Sequence, residues 1–139
     1  MLSGPGVPNH PPAQVVGIAV KRKANALFFL QAAKILRQPR PGQNVEVARY
    51  VIHYANGLSV NVPVYVNREV ANYRQKHPVP LPKAQIAWQR RYSGTSFYAV
   101  AYTMQWTNPH PQDEISSIDI LPGPPWSGIP VVLAITAAR

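Results

Sequence analysis

Two stretches of strict alternation stand out along the chain. Between 45 and 54, Tyr50, Ile52 and Tyr54 alternate with Val51 and His53. Between 58 and 66, Leu58, Val60, Val62, Val64 and Val66 alternate with Ser59, Asn61, Pro63 and Tyr65. A period of two gives each strand one buried and one wetted face. Asn56-Gly57 joins the runs, a dipeptide that readily supplies the two positive φ angles of a type I′ turn. The pattern predicts a hairpin, and Pro63 on its wet side marks an edge strand or a bulge.

Further strands are predicted at 15–20, 26–33, 84–89, 97–106, 115–120 and 129–136. Residues 26–33 fit a helix or a strand by periodicity, and the pair Phe28-Phe29 with the short length favours a strand. In 97–106, Tyr98, Val100, Tyr102, Met104 and Trp106 share one face. Trp106 then leads through Asn108-Pro109-His110-Pro111 into a return strand carrying Ile115, Ile118 and Ile120. This reads as a core-facing tryptophan, a proline corner and an apolar strand. The unbroken run from Val131 to Ile135 predicts a strand covered on both faces. Residues 69–77 allow one helical turn, stopped by Pro78, Pro80 and Pro82. Seven to eight strands without a helix predict an all-β fold, an antiparallel β-sandwich of jelly-roll-like form.

Composition narrows this picture. The chain of 139 residues suits one domain with a substantial core, and its 16 prolines fit many turns and short elements. Residues 1–13 hold Gly4, Pro5, Gly6, Pro8, Pro11 and Pro12 and read as a linker or arm, leaving 14–139 as the domain. Zero cysteines exclude disulfides and thiolate chemistry. No apolar run is long enough to span a membrane, and the first residues lack the pattern of a signal peptide. Either the protein stays inside, or it is a mature or excised piece of a longer exported chain, periplasmic or extracellular.

The net charge of +9, from 14 Lys and Arg against 5 Asp and Glu, would draw polyanions. Only Lys21-Arg22-Lys23 and Arg90-Arg91 are tight clusters, so a partner rich in nucleic acid is not expected. His10, His53, His77 and His110 form no HxH or HxxxH pair, and no metal site is expected from them. Asp113, Glu114 and Asp119 are explained more simply by capping and solvation than by calcium. No carboxylate pair, nucleophile motif or phosphate loop points to catalysis, so neither an enzyme nor a cofactor is expected.

Aromatics provide the remaining chemistry. Sugar rings stack on Trp and Tyr while Arg, Asn and Asp bind their hydroxyls. Tyr73, Trp88, Arg90, Arg91 and Trp126 are the expected carbohydrate contacts, with Trp88-Gln89-Arg90-Arg91-Tyr92 placing a stacking platform beside two guanidiniums. That combination also suits acidic polymers. The competing explanation for each aromatic is packing at a core or rim. Competing functions are a structural or protein–protein module using edge strands and the N-terminal arm, and a polyanion binder driven by the net positive charge.

Several blocks carry a family resemblance: Leu27-Phe28-Phe29-Leu30, the stretch from Val47 to Gly57, Ala87-Trp88, the stretch from Trp106 to Pro111, Ile115-Ser116-Ser117-Ile118-Asp119, and the ending from Pro130 to Thr136. In this order, over roughly 15–137, they resemble a bacterial β-sandwich accessory domain of the galactose-binding-like jelly-roll kind. Such domains are appended to exported proteins, glycan-degrading enzymes among them. The resemblance implies a non-catalytic module for carbohydrate or a cell-surface polymer. The chain departs from that pattern at Asn56, where Asp is common, at Asn72-Tyr73, where Asp-Trp is frequent, and at Gln31, where a His often stands.

Overall fold

The computed structural model describes residues 14–139, and the arm expected at 1–13 lies outside them. Nine strands follow one another among the described residues: β1 (Val15–Arg22), β2 (Ala26–Ile35), β3 (Glu46–Tyr54), β4 (Ser59–Tyr65), β5 (Arg74–Gln75), β6 (Gln85–Arg91), β7 (Tyr98–Thr107), β8 (Ile115–Pro122) and β9 (Gly128–Ala138). One sheet has the order β1-β8-β3-β4. In the other, β7 pairs β2 and then β5 on one edge, β6 on the opposite edge, and β9 lies beyond β2. All these strand pairs are antiparallel. Connections repeatedly cross between the sheets, and the fold is the expected all-β sandwich.

The core lies where the alternating faces meet. Leu27 and Phe29 from β2, Tyr50 and Ile52 from β3, Tyr102 from β7 and Ile118 from β8 are essentially inaccessible to water. Phe29 stacks on Tyr50 across the sandwich, with ring centroids 4.0 Å apart and planes 15° from parallel. Burying each such side chain contributes about 1.5–3 kcal/mol. Polar atoms inside are matched. Gln31 donates from Nε2 to the Glu69 carbonyl at 2.8 Å and accepts the Tyr50 hydroxyl proton. After β7, Asn108 donates to the Ala24 carbonyl at 2.7 Å and accepts from Tyr54, pinning the proline corner. Trp106 packs against the core, and Ile115, Ile118 and Ile120 are buried as their spacing predicts.

Four local expectations need correction. The β3–β4 turn is not type I′: among non-glycine residues described, only Lys21 and Asn67 have positive φ, so Asn56 does not. The Gly57 amide donates to the Tyr54 carbonyl at 3.0 Å, and Gly57 itself takes φ 92°. This is a type I turn completed by a left-handed glycine, a three-residue loop instead of a two-residue one. Asn56 accepts from the Leu58 amide at 3.0 Å, which holds the three-residue loop in place.

No helical turn occupies 69–77. Asn67, at φ 66°, reverses the chain, and the Tyr73 amide donates to the Ala33 carbonyl at 2.7 Å. Pairing with β7 then extends Arg74 and Gln75 into β5, so long-range ladder bonds override the local helical option. That strand brings the count to nine, above the seven to eight expected.

Finally, β9 is not covered on both faces. Among the described residues it pairs only with β2, and Leu133 is 56% exposed. Leu133 is an extra residue between Val132, opposite Gln31, and Ala134, opposite Leu30. An apolar run accommodates such a bulge at an edge because it has no fixed inside and outside set.

Candidate functional site

Trp88 owes its exposure to one unpaired residue. Gln85 lies opposite Thr103 and Ile86 opposite Tyr102, whereas Trp88 lies opposite Ala101. Ala87 therefore has no partner and forms a bulge. Ile86 packs against the core, and uninterrupted alternation from it would send Trp88 inward as well. The bulge reverses the phase, and Trp88 is left 51% exposed on the outer face.

The outer face then builds up in rows. Beside the Trp88–Ala101 row, Arg90, Ala99 and Arg74 face one another across β6, β7 and β5. The next row holds Tyr92, Phe97 and Lys76, with the Tyr92 amide donating to the Phe97 carbonyl at 2.9 Å. Successive rows on one face of a strand are about 7 Å apart. The Arg74 guanidinium lies 4.2 Å from the Phe97 ring centroid and 5.7 Å from that of Tyr92, while the Lys76 amine is 5.3 Å from Phe97. Cations and aromatics thus interleave around the small side chain of Ala99. Trp88, Arg90, Arg91, Tyr92, Ser93 and Ala99 line a groove of about 370 Å³.

Arg91 has a second task. It sits opposite Tyr98, and its Nε donates to the Thr95 carbonyl at 2.9 Å, bracing the loop from β6 to β7. Gly94, at φ 76°, supplies the left-handed turn residue there.

The charge around this face is one-sided. The strands β2, β5, β6, β7 and β9 contain Lys34, Arg74, Arg90 and Arg91 and no Asp or Glu. Three of the five carboxylates are engaged elsewhere. Glu46 pairs with Arg49 at 3.0 Å, Asp119 with His53 at 2.7 Å, and Asp113 approaches His110 at 4.0 Å. On the outer face of the other sheet, burial works against the charge of Asp119. The Gly17 amide, donating at 2.8 Å, and His53 Nε2 outweigh that cost and hold its carboxyl below the ordinary value.

The structure unites part of the expected set. Trp88, Arg90 and Arg91 meet in one groove. Tyr73 does not join them. Its backbone bridges β2 and β7, accepting from the Val100 amide at 2.8 Å, and it alternates with Arg74 toward the opposite face. Trp126 lies in the β8–β9 loop with the Arg37 guanidinium 5.0 Å from its ring. Arg74, Lys76 and Phe97 are missed by sequence reasoning because only the pairing of β5 with β7 delivers them. Tyr92 carries its own signal, following directly on Trp88-Gln89-Arg90-Arg91.

No family model, curated protein or solved structure matches the chain. Among the described residues, no three His, Asp or Glu side chains converge to hold a metal ion. Among the described residues, no helix is long and apolar enough to cross a membrane.

Proposed function

We propose that the domain is a non-catalytic module that binds carbohydrate, specifically an acidic glycan or cell-surface polymer, on the face around Trp88. The observation that carries this reading is the alternation of cation and aromatic rows about Ala99, on a sheet whose strands bear no carboxylate. Trp88 and Tyr92 offer flat apolar surfaces to sugar rings. Arg90 and Arg74 offer fixed guanidinium forks to carboxylate or sulfate groups. The resemblance to accessory domains of exported glycan-processing proteins agrees with this reading, and with a periplasmic or extracellular location.

A glycan array of neutral and acidic sugars, read at low and at high salt, tests it. Acidic glycans should bind, and added salt should weaken them without abolishing the stacking contribution. Trp88→Ala should remove binding while the protein stays folded. Loss of folding instead would show that Trp88 is a packing residue and overturn the site.

A second reading has its own support. Among the described residues β9 is an edge strand; it carries no charged residue over Gly128–Ala138 and exposes Leu133, features that suit strand addition. An array without binding, together with an oligomer in light scattering, would favour that assembly role.

A further inference from the structure

The face that carries Trp88 continues well past it. Outward positions of β7 run Phe97, Ala99, Ala101, Thr103, Gln105 and Thr107, and ten residues of strand extend about 33 Å. Beyond the Trp88–Ala101 row lies a second groove of about 470 Å³. Its lining includes Phe28, Lys83, Gln85, Thr103, Gln105 and Thr107. Gln85 and Thr103 are directly paired, as are Phe28 and Gln105, so this groove lies on the same outer face. Ala101 is only 3% exposed, and the indole opposite it rises as a ridge between two depressions.

The two depressions differ in chemistry. One presents guanidiniums and aromatic rings. The other presents hydroxyl and amide groups, the Phe28 ring and one ammonium, that of Lys83. Glu69, whose charge interacts with that of Lys83, is itself buried and accepts the Tyr65 amide at 2.8 Å.

We infer that the two grooves are halves of one binding site for the internal segment of a linear acidic polysaccharide, which lies lengthwise along β7 and crosses Trp88 at its middle. The inference rests on the carbohydrate reading above. A sugar ring stacks on Trp88. Toward Phe97 the chain's acidic groups meet Arg90 and Arg74, and toward Thr107 its hydroxyls meet Thr103, Gln105 and Gln85. Both depressions are open grooves and not closed pockets, which suits mid-chain segments over chain ends. Roughly six sugar rings match the length of about 33 Å.

Calorimetry with heparin fragments and oligogalacturonides of two to eight sugar residues tests the inference. Affinity of the wild-type protein for at least one series should climb tenfold or more with length and level off near six. The double variant Lys83→Gln with Gln105→Ala replaces two exposed side chains. It should bring long fragments down to the affinity of short ones and leave the short ones unchanged. Affinity that is flat with length, or long-fragment affinity untouched by the double variant, would overturn the extended site. Short-fragment binding that vanishes in Trp88→Ala would in that case still uphold the carbohydrate site. No binding by either series at any length would overturn both.

Discussion

Trp88 faces Ala101 across the β6–β7 ladder, and it does so only because Ala87 has no partner. Deleting Ala87 should remove the bulge and leave Trp88 on the outer face, because Ile86 opposite Tyr102 and Trp88 opposite Ala101 then become neighbours that alternate. Glycan binding should survive the deletion in a folded protein, as read by titration beside a urea denaturation curve. A folded deletion variant that no longer binds would show that Trp88 does not keep its outward position by this register.

Arg74 is held between the Tyr92 and Phe97 rings. Arg74→Ala should lower affinity for acidic glycans several-fold and reduce the dependence of binding on salt. Its effect on stability should stay near ~1 kcal/mol or below, the range for exposed cation–π contacts. Titrations at two salt concentrations, with a melting curve alongside, separate the two effects.

Trp126 stands apart from the groove with Arg37. Trp126→Ala should leave affinity for the acidic fragments within error of wild type, in contrast to Trp88→Ala. Equal losses from both substitutions would mean that the ligand reaches the β8–β9 loop.

At Gly123 the backbone runs close against that of Glu46 and Val47. A Cβ there would lie 2.1 Å from the Glu46 carbonyl oxygen, where the Gly123 amide already donates to Val47 at 2.9 Å. Neither partner is a flexible side chain. Gly123→Ala should therefore destabilise the fold by about 1–3 kcal/mol, as overpacking does, measured by chemical denaturation.

Two carboxyls give stability opposite responses to pH. Asp119 is held below its ordinary pKa of 3.8, so its contribution is present above that value and is lost as pH falls through the lower native pKa. Asp119→Asn should flatten the acid limb of a stability profile. For Glu69, burial raises the pKa above 4.5 against the pull of the Tyr65 amide. Its contribution is full below 4.5 and is lost as pH rises through the raised native pKa. Glu69→Gln should flatten that second slope and leave the acid limb in place.

The alternation in β3, β4 and β7 was legible in the sequence because each of those strands has one face fixed by the core. Tyr50, Ile52, Val62, Val64, Tyr102 and Met104 are buried where their period places them. The corner at Asn108-Pro109 was legible for a similar reason, since proline and a buried amide leave the chain few options. Much of the site was not. Local order put Trp88, Arg90, Arg91 and Tyr92 next to one another, yet which face each occupies depended on whether Ala87 found a partner on β7.

What the sequence determined by itself is the class of fold, because period-two burial and proline punctuation are local and permit little else. It also determined the excess of positive charge. The tertiary structure decided where that charge acts. Pairing of β5 with β7 carries Arg74 and Lys76 to Phe97 and Tyr92, while Tyr73 turns away and Trp126 pairs with Arg37. Pairing with β2 left β9 at the end of that sheet's order, although its apolar run looked like a buried strand. Ladder partners come from distant parts of the chain, and a one-residue slip in register exchanges the two faces.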